Sequence, residues 1–263
     1  MELNFTKYQG AGNDFIIINA LEQEKLPGIS QSQISNLCDR HFGVGADGLM
    51  ILEESTSSDF KMVYYNSDGK EGSLCGNGSR CAVHFYYSFI GKKKTNISFS
   101  SFDGIHHASV VGTNTVKLGM SSVKEFLSDE SYYFMDTGSP HIVIFSDSIS
   151  ELDMEKIGQQ FRNVSPLKEA GTNVNLVQKG DSYNLIRTFE RGVEGETLAC
   201  GTGVTAAALI KAVDGEYPAG SYKENFQAIG GLLCVYFDRS AQGFENIYLE
   251  GPAEEVFKGQ IQV

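Results

Sequence analysis

The sequence predicts an α/β (α+β) chain built as two pseudo-symmetric halves, each a rolled, mostly antiparallel sheet around a central buried helix. Three observations carry that expectation. Short β-branched or aromatic runs bounded by Gly, Asn or Asp far outnumber helical patterns. Two helices, Ser79–Ile90 and Val204–Val213, are apolar around much of their circumference and are followed by Gly91 and by Asp214-Gly215. Such a helix has to be enclosed by other structure, and the abundant strands supply a curled sheet to do so. Finally, three landmarks recur in the same order at nearly one spacing. Cys75-Gly-Asn-Gly and Cys200-Gly-Thr-Gly lie 125 residues apart; Gly45-Ala-Asp-Gly and Gly171-Thr-Asn-Val lie 126 apart, as do Gly12-Asn-Asp-Phe and Gly138-Ser-Pro-His. Gly-rich turns look alike anywhere, but a constant offset does not follow from that, and internal repetition marks homologous units. The boundary falls near residue 120.

The elements follow in order. In the first half, strands are expected at Leu3–Tyr8, Asp14–Asn19, Leu49–Glu53, Phe60–Tyr65, Asn96–Ser100 and Val116–Met120. The second half carries Tyr132–Met135, His141–Phe145, Asn173–Val177, Tyr183–Phe189, Leu232–Phe237 and Ile247–Leu249. Amphipathic helices are expected at Ser32–Arg40, with Ile34 and Leu37 inward, and at Glu151–Arg162, with Met154, Ile157 and Phe161 inward.

Composition bounds the function. Of 263 residues, 41% are hydrophobic and 21% charged, which suits a globular chain and not a disordered one. A net charge of −12 repels phosphates at long range, so neither nucleic acid nor a membrane surface is an expected partner. The run Lys92-Lys93-Lys94 reads as a solvated loop. No stretch reaches the roughly 20 apolar residues of a membrane span. The N-terminal Met-Glu-Leu-Asn-Phe lacks a signal-peptide layout. Five cysteines at irregular spacings fit reduced thiols, so a cytoplasmic location is expected.

The chemistry concentrates at two of those thiols. Cys75 and Cys200 each stand directly before Gly-x-Gly at a helix start, where unpaired backbone N–H groups create a positive field. That field lowers a thiol pKa, and the glycines let amides approach a bound carboxylate. A single such Cys is more often a small buried hydrophobe; its duplication shifts the balance towards catalysis. Cys38, Cys81 and Cys234 lack the setting and read as packing residues. Two thiols in equivalent positions fit a racemase or epimerase in which one sulfur removes an α-hydrogen and the other returns a proton, with amides stabilising the carbanion and no cofactor required. Arg191 can hold a second carboxylate in a fork and Glu190 can pair with an ammonium group, although a lone Glu-Arg pair is usually a surface ion pair. His141 is the one histidine inside a repeated landmark and is a candidate for tuning a thiol. His106-His107 and Cys81-x-x-His84 lack partners at zinc spacing, so no metal is expected. Gly43-Val-Gly-Ala-Asp-Gly matches a dinucleotide fingerprint in letters only, because a helix precedes it and a strand follows.

Together these segments resemble the diaminopimelate epimerases. The matching stretches are Gly10-Ala-Gly-Asn-Asp-Phe, Asp39-Arg-His-Phe-Gly-Val-Gly-Ala-Asp-Gly, Asn66-Ser-Asp-Gly, Cys75-Gly-Asn-Gly-Ser-Arg-Cys, Gly138-Ser-Pro-His, Thr172-Asn-Val, Glu190-Arg-Gly and Ala199-Cys-Gly-Thr-Gly. The resemblance implies a first domain of residues 1–119 joined by a C-terminal strand at about 251–263, a second domain of 120–250, and an active site in the cleft between them. It implies cofactor-independent interconversion of LL- and meso-diaminopimelate, with Cys75 and Cys200 as acid and base. Amides at Gly76, Asn77, Gly201 and Thr202 would bind the reacting carboxylate, and Glu190 the α-ammonium. Asn66, Asn173 and Arg191 would recognise the distal end, with Asn13 also in the pocket, and His141 and Glu190 would tune the thiols. A small amino acid is the expected partner, and a homodimer the expected assembly. Ser139 and Gly48 depart from the family's frequent Asn and Gln, and Gly192-Val-Glu-Gly-Glu is one residue longer than the common spacing. Proline or hydroxyproline racemases and phenazine-type isomerases share the fold and remain alternatives, as do a non-catalytic amino-acid-binding protein and a Cys–His thiol hydrolase.

Overall fold

The computed structural model describes residues 2–21, 28–72, 75–164 and 170–263. The chain divides into two compact units, residues 1–118 with 251–263, and residues 119–250. The first unit contains β1 (Glu2–Gly10), β2 (Asn13–Ala20), α1 (Gln31–Cys38), β3 (Gly48–Glu53), β4 (Phe60–Asn66), α2 (Gly76–Phe89), β5 (Asn96–Ser101), β6 (Gly104–Val110) and β7 (Thr115–Gly119). The second contains β8 (Leu127–Ser128), β9 (Tyr133–Asp136), β10 (Pro140–Phe145), α3 (Met154–Phe161), β11 (Asn173–Gln178), β12 (Asn184–Glu190), β13 (Gly195–Thr197), α4 (Gly201–Asp214), β14 (Gly220–Ala228), β15 (Gly231–Ser240) and β16 (Gly243–Pro252). The chain then returns to the first unit as β17 (Glu254–Gln262).

The pairing pattern repeats. In the first unit β2 runs parallel to β3 and β4 parallel to β5, while β1–β2, β3–β4 and β5–β6 are antiparallel. In the second, β10 runs parallel to β11 and β12 parallel to β14, while β9–β10, β11–β12 and β14–β15 are antiparallel. Each unit is thus a mostly antiparallel mixed sheet with one enclosed helix, the α+β architecture expected from the sequence. Helix α2 packs against β1, β2, β3, β5, β6 and β17; α4 packs against β9, β10, β11 and β15. Val204, Ala206, Ala207, Ala208, Leu209 and Ile210 on α4 are buried together, and apolar burial of this kind is the main stabilising contribution.

Several boundaries differ from the sequence reading. Both enclosed helices begin three residues earlier than expected, at Gly76 and Gly201, because the glycines after each cysteine form the first helical turn instead of a preceding loop. Helix α3 begins at Met154, where the Asp153 carboxylate caps the Lys156 amide, and not at Glu151. Helix α1 is capped by a Ser30/Gln33 box and ends at Cys38, two residues short of Arg40. Strands β6 and β14 were not anticipated: polar residues interrupt their apolar ones, so their pairing with β5 and β15 defines them more than their own composition does.

Candidate active site

Cys75 and Cys200 are the N-cap residues of α2 and α4, with extended backbones at φ −100°, ψ 116° and φ −115°, ψ 110°. Each carbonyl accepts the first helical hydrogen bond, from Ser79 at 2.7 Å and from Val204 at 2.9 Å. Both sulfurs therefore stand at a helix N-terminus, beside first-turn amides that lack intrahelical acceptors. Both cysteines are half-buried, whereas Cys38, Cys81 and Cys234 are buried. Burial pushes the Cys38 thiol up to about 11 and raises Cys81 further, which suits packing and not acid–base work. The third residue after each cysteine is packed differently: a Cβ on Gly203 would clash at 2.4 Å with Asn175 Oδ1, whereas one on Gly78 would lie 3.2 Å from the flexible Met50 Sδ.

Around Cys75 the polar groups form one oriented chain. The Gly78 amide donates to Cys75 Sγ at 3.5 Å. The Cys75 thiol donates to Asn13 Oδ1 at 3.6 Å, and Asn77 Nδ2 donates to the same oxygen at 3.3 Å. Asn13 Nδ2 in turn donates to Asp47, which pairs with Arg40 at 2.7 Å. Arg40 also grips Asp14, as does Lys7. Burial raises the Asp14 carboxyl, but Arg40 and Lys7 outweigh it and hold the group down at about 2. From below, fully buried Arg80 donates to Asn77 Oδ1 at 2.8 Å, and this fixes which face of Asn77 turns towards Asn13. Asp47, Arg40 and Arg80 went unassigned in the sequence reading. Asn66 ends β4 with its side chain exposed and its backbone in the turn to Lys70. At Gly48 a Cβ would meet the Tyr64 ring at 2.7 Å, so a tyrosine occupies the space that a longer side chain would need.

In the second unit, Thr202 Oγ1 lies 3.4 Å from Cys200 Sγ, 2.9 Å from His141 Nε2 and 3.0 Å from Ser139 Oγ. His141 is fully buried, and burial followed by the positive charge of Arg191 depresses its pKa to about 3, so the ring is neutral at ordinary pH. Asn173 is buried and spends its amide internally, donating to Pro140 O at 3.0 Å and accepting the Arg191 amide at 3.0 Å. That contact orients the turn after β12. Arg191 is exposed, with Nη1 reaching the Ala170 and Gly171 carbonyls at 3.4 Å. Glu190 Oε1 accepts from the Thr197 hydroxyl. The longer segment 191–195 closes as a turn, with Glu194 at φ +58°, its amide on Glu190 O, and its carboxylate forked by Arg162. Among the described residues no three His, Cys, Asp or Glu side chains cluster to hold a metal ion.

The sequence itself matches a known family along nearly its whole length. The family model for diaminopimelate epimerase matches residues 5–125 and 133–254. The chain belongs to the diaminopimelate epimerase family. Among curated members, the diaminopimelate epimerase of Flavobacterium psychrophilum is 46% identical over 257 residues, covering 97% of this chain and 98% of that protein. That of Chlorobaculum tepidum is 40% identical over 261 residues, covering 96% and 98%. Among solved structures, a phenazine biosynthesis protein of the PhzF family from Bacillus anthracis matches with TM-score 0.76 at 13% identity, over 100% of both chains. A hydroxyproline epimerase from Agrobacterium vitis with bound trans-4-hydroxy-L-proline matches with TM-score 0.66 at 13% identity, over 99% of this chain and 91% of that one. These two share the fold with the diaminopimelate epimerase family and, at that identity, the fold alone.

Proposed function

We propose that this protein interconverts LL-2,6-diaminopimelate and meso-diaminopimelate without a cofactor, using Cys75 and Cys200 as its acid–base pair. The observation that carries the reading is the placement of two half-buried thiols as the N-caps of the two enclosed helices, while the other three thiols are buried. One sulfur, as thiolate, takes the α-proton. The electron pair passes into the α-carboxylate, whose developing charge is met by first-turn amides at Gly76, Asn77, Gly201 and Thr202. The other sulfur, as thiol, gives its proton to the opposite face of the carbon. Each turnover therefore leaves the pair with its proton on the other sulfur, and the two titrate as a unit. Glu190 receives the α-ammonium. Asn66 and Arg191 meet the distal amino-acid group, with Asn173 holding the Arg191 turn and Asn13 orienting the Cys75 side. We place the protein in the cytoplasm, as a homodimer.

The test is α-hydrogen exchange from LL-diaminopimelate in D₂O, without added cofactor, for wild type, Cys75→Ser and Cys200→Ser. Inversion with solvent deuterium in the product is expected for wild type. Each serine variant is expected to lose roughly 10²–10⁴-fold in kcat, the usual worth of a positioned acid or base. Full activity in either variant, or turnover of proline but not diaminopimelate, overturns the reading.

A further inference from the structure

The two thiol sites differ just behind their helices. The backbone of Gly78 in α2 faces Met50 and Phe15, while that of Gly203 in α4 faces Asn175 and His141. Two apolar side chains in the first unit thus correspond to a polar pair in the second, and that pair leads to Cys200.

Hydrogen-bond direction along this pair can be read from groups that have no choice. The Ile142 carbonyl can only accept, so the Asn175 atom 2.8 Å from it is Nδ2. Asn175 Oδ1 then accepts from the Thr188 hydroxyl at 2.9 Å. The second Nδ2 hydrogen points at His141 Nδ1, 3.1 Å away, and can be received only by a lone pair. The neutral ring therefore carries its proton on Nε2. Nε2–H faces the Ser139 and Thr202 hydroxyls, each at 2.9 Å. Ser139 Oγ also accepts from Asn173 Nδ2 at 3.5 Å, so with Nε2–H given to Ser139 the Ser139 hydrogen passes to Thr202 Oγ1, and the Thr202 hydrogen turns to Cys200 Sγ at 3.4 Å.

We propose that Asn175 is a positioning residue for Cys200: by holding His141 in its Nε2–H form, it turns the Thr202 hydroxyl onto the sulfur and favours the thiolate there. The proposal rests on the reading of Cys200 as acid and base. A hydrogen bond donated to the ionised form stabilises it; in the first unit Met50 and Phe15 occupy the places of Asn175 and His141, and the Gly78 amide is the group that donates to Cys75 Sγ. Arg191 is the charged side chain whose field reaches His141, and it too keeps the ring from taking a second proton.

Three measurements on the full chain test this. A two-bond ¹H–¹⁵N spectrum of histidine-labelled protein, with His141 assigned by its loss in His141→Gln, is expected to show the proton on Nε2 at neutral pH. In Asn175→Asp the carboxylate accepts where the amide donated, so the proton is expected to move to Nδ1 and kcat to fall with little change in KM. Alkylation by iodoacetamide, resolved by peptide mass spectrometry, is expected to slow at Cys200 by roughly tenfold in Asn175→Asp and in Thr202→Val, with Cys75 unchanged in the same samples. Should Asn175→Asp not fold, Thr202→Val and the wild-type spectrum still decide. A wild-type ring protonated on Nδ1, or Cys200 alkylation unchanged in Thr202→Val, overturns the proposal. A Cys200→Ser enzyme that still inverts its substrate refutes instead the acid–base reading on which the proposal rests, and leaves the tautomer result standing.

Discussion

Burial and capping separate five chemically identical thiols into two kinds, and the same forces act on the single histidine of the repeated landmarks. His141 is held neutral by desolvation and by Arg191, with a folded pKa of about 3. The unfolded chain takes up this proton as pH falls below about 6.5, while the folded protein does not until near 3. Its contribution to stability is therefore complete above about 6.5 and is lost progressively between there and about 3. Asp14, held at about 2, adds a loss of the same sign at lower pH. Thermal midpoints of wild type and His141→Gln at pH 7, 5 and 4 should show a shallower acid decline in the variant, by a few kcal/mol at most. Parallel declines would mean that His141 is not the group taking up the proton.

At the level of elements, both enclosed helices open on Cys-Gly-x-Gly, yet their third residues differ in what a methyl group would cost. Gly203→Ala drives Cβ against Asn175 Oδ1, which is pinned by Thr188, and 3.2 Å from the buried His141 ring. Gly78→Ala meets the flexible end of Met50 at 3.2 Å. Overpacking costs about 1–3 kcal/mol and Ala gains up to about 1 kcal/mol over Gly in a helix. Gly203→Ala is therefore expected to lower the thermal midpoint clearly and Gly78→Ala to leave it nearly unchanged, as differential scanning fluorimetry would show. An equal loss in both would mean that the Asn175 side chain yields as easily as Met50.

Over the whole chain, the last strand is spent on the first unit. β17 pairs antiparallel with β1 from Glu2 to Gln9, and Phe257 packs edge-on to Phe5. Removing residues 254–263 would leave β1 with one open edge and expose Phe5, the kind of edge that invites association. Hydrogen exchange on that truncation is expected to show faster exchange in β1 and β2 with β10–β12 still protected. Uniform loss of protection would instead mean that the two units unfold together.

The order of the landmarks was legible in the linear chain, since a constant offset between Cys75 and Cys200, Gly45 and Gly171, and Gly12 and Gly138 needs no coordinates to be seen. So were most strands, because β-branched and aromatic runs carry their own period, and so were the enclosed helices, whose apolar circumference leaves no solvent face. Strands β6 and β14 were not, since their inward apolar residues, Ala108 and Val110 in one and Phe226 and Ala228 in the other, are too few among polar ones to carry a period. His141 was legible as a candidate, but its partners Asn175 and Thr188 were not. His141, Asn175 and Thr188 meet because β10 pairs with β11 in the register His141 to Asn173 and β11 with β12 in the register Asn175 to Thr188. Register of this sort comes from the cooperative packing of whole strands on one core, and a one-residue slip would turn Asn175 to the other face. Chemical identity is a property of each residue in line, whereas the direction of a proton depends on which neighbours folding brings to it.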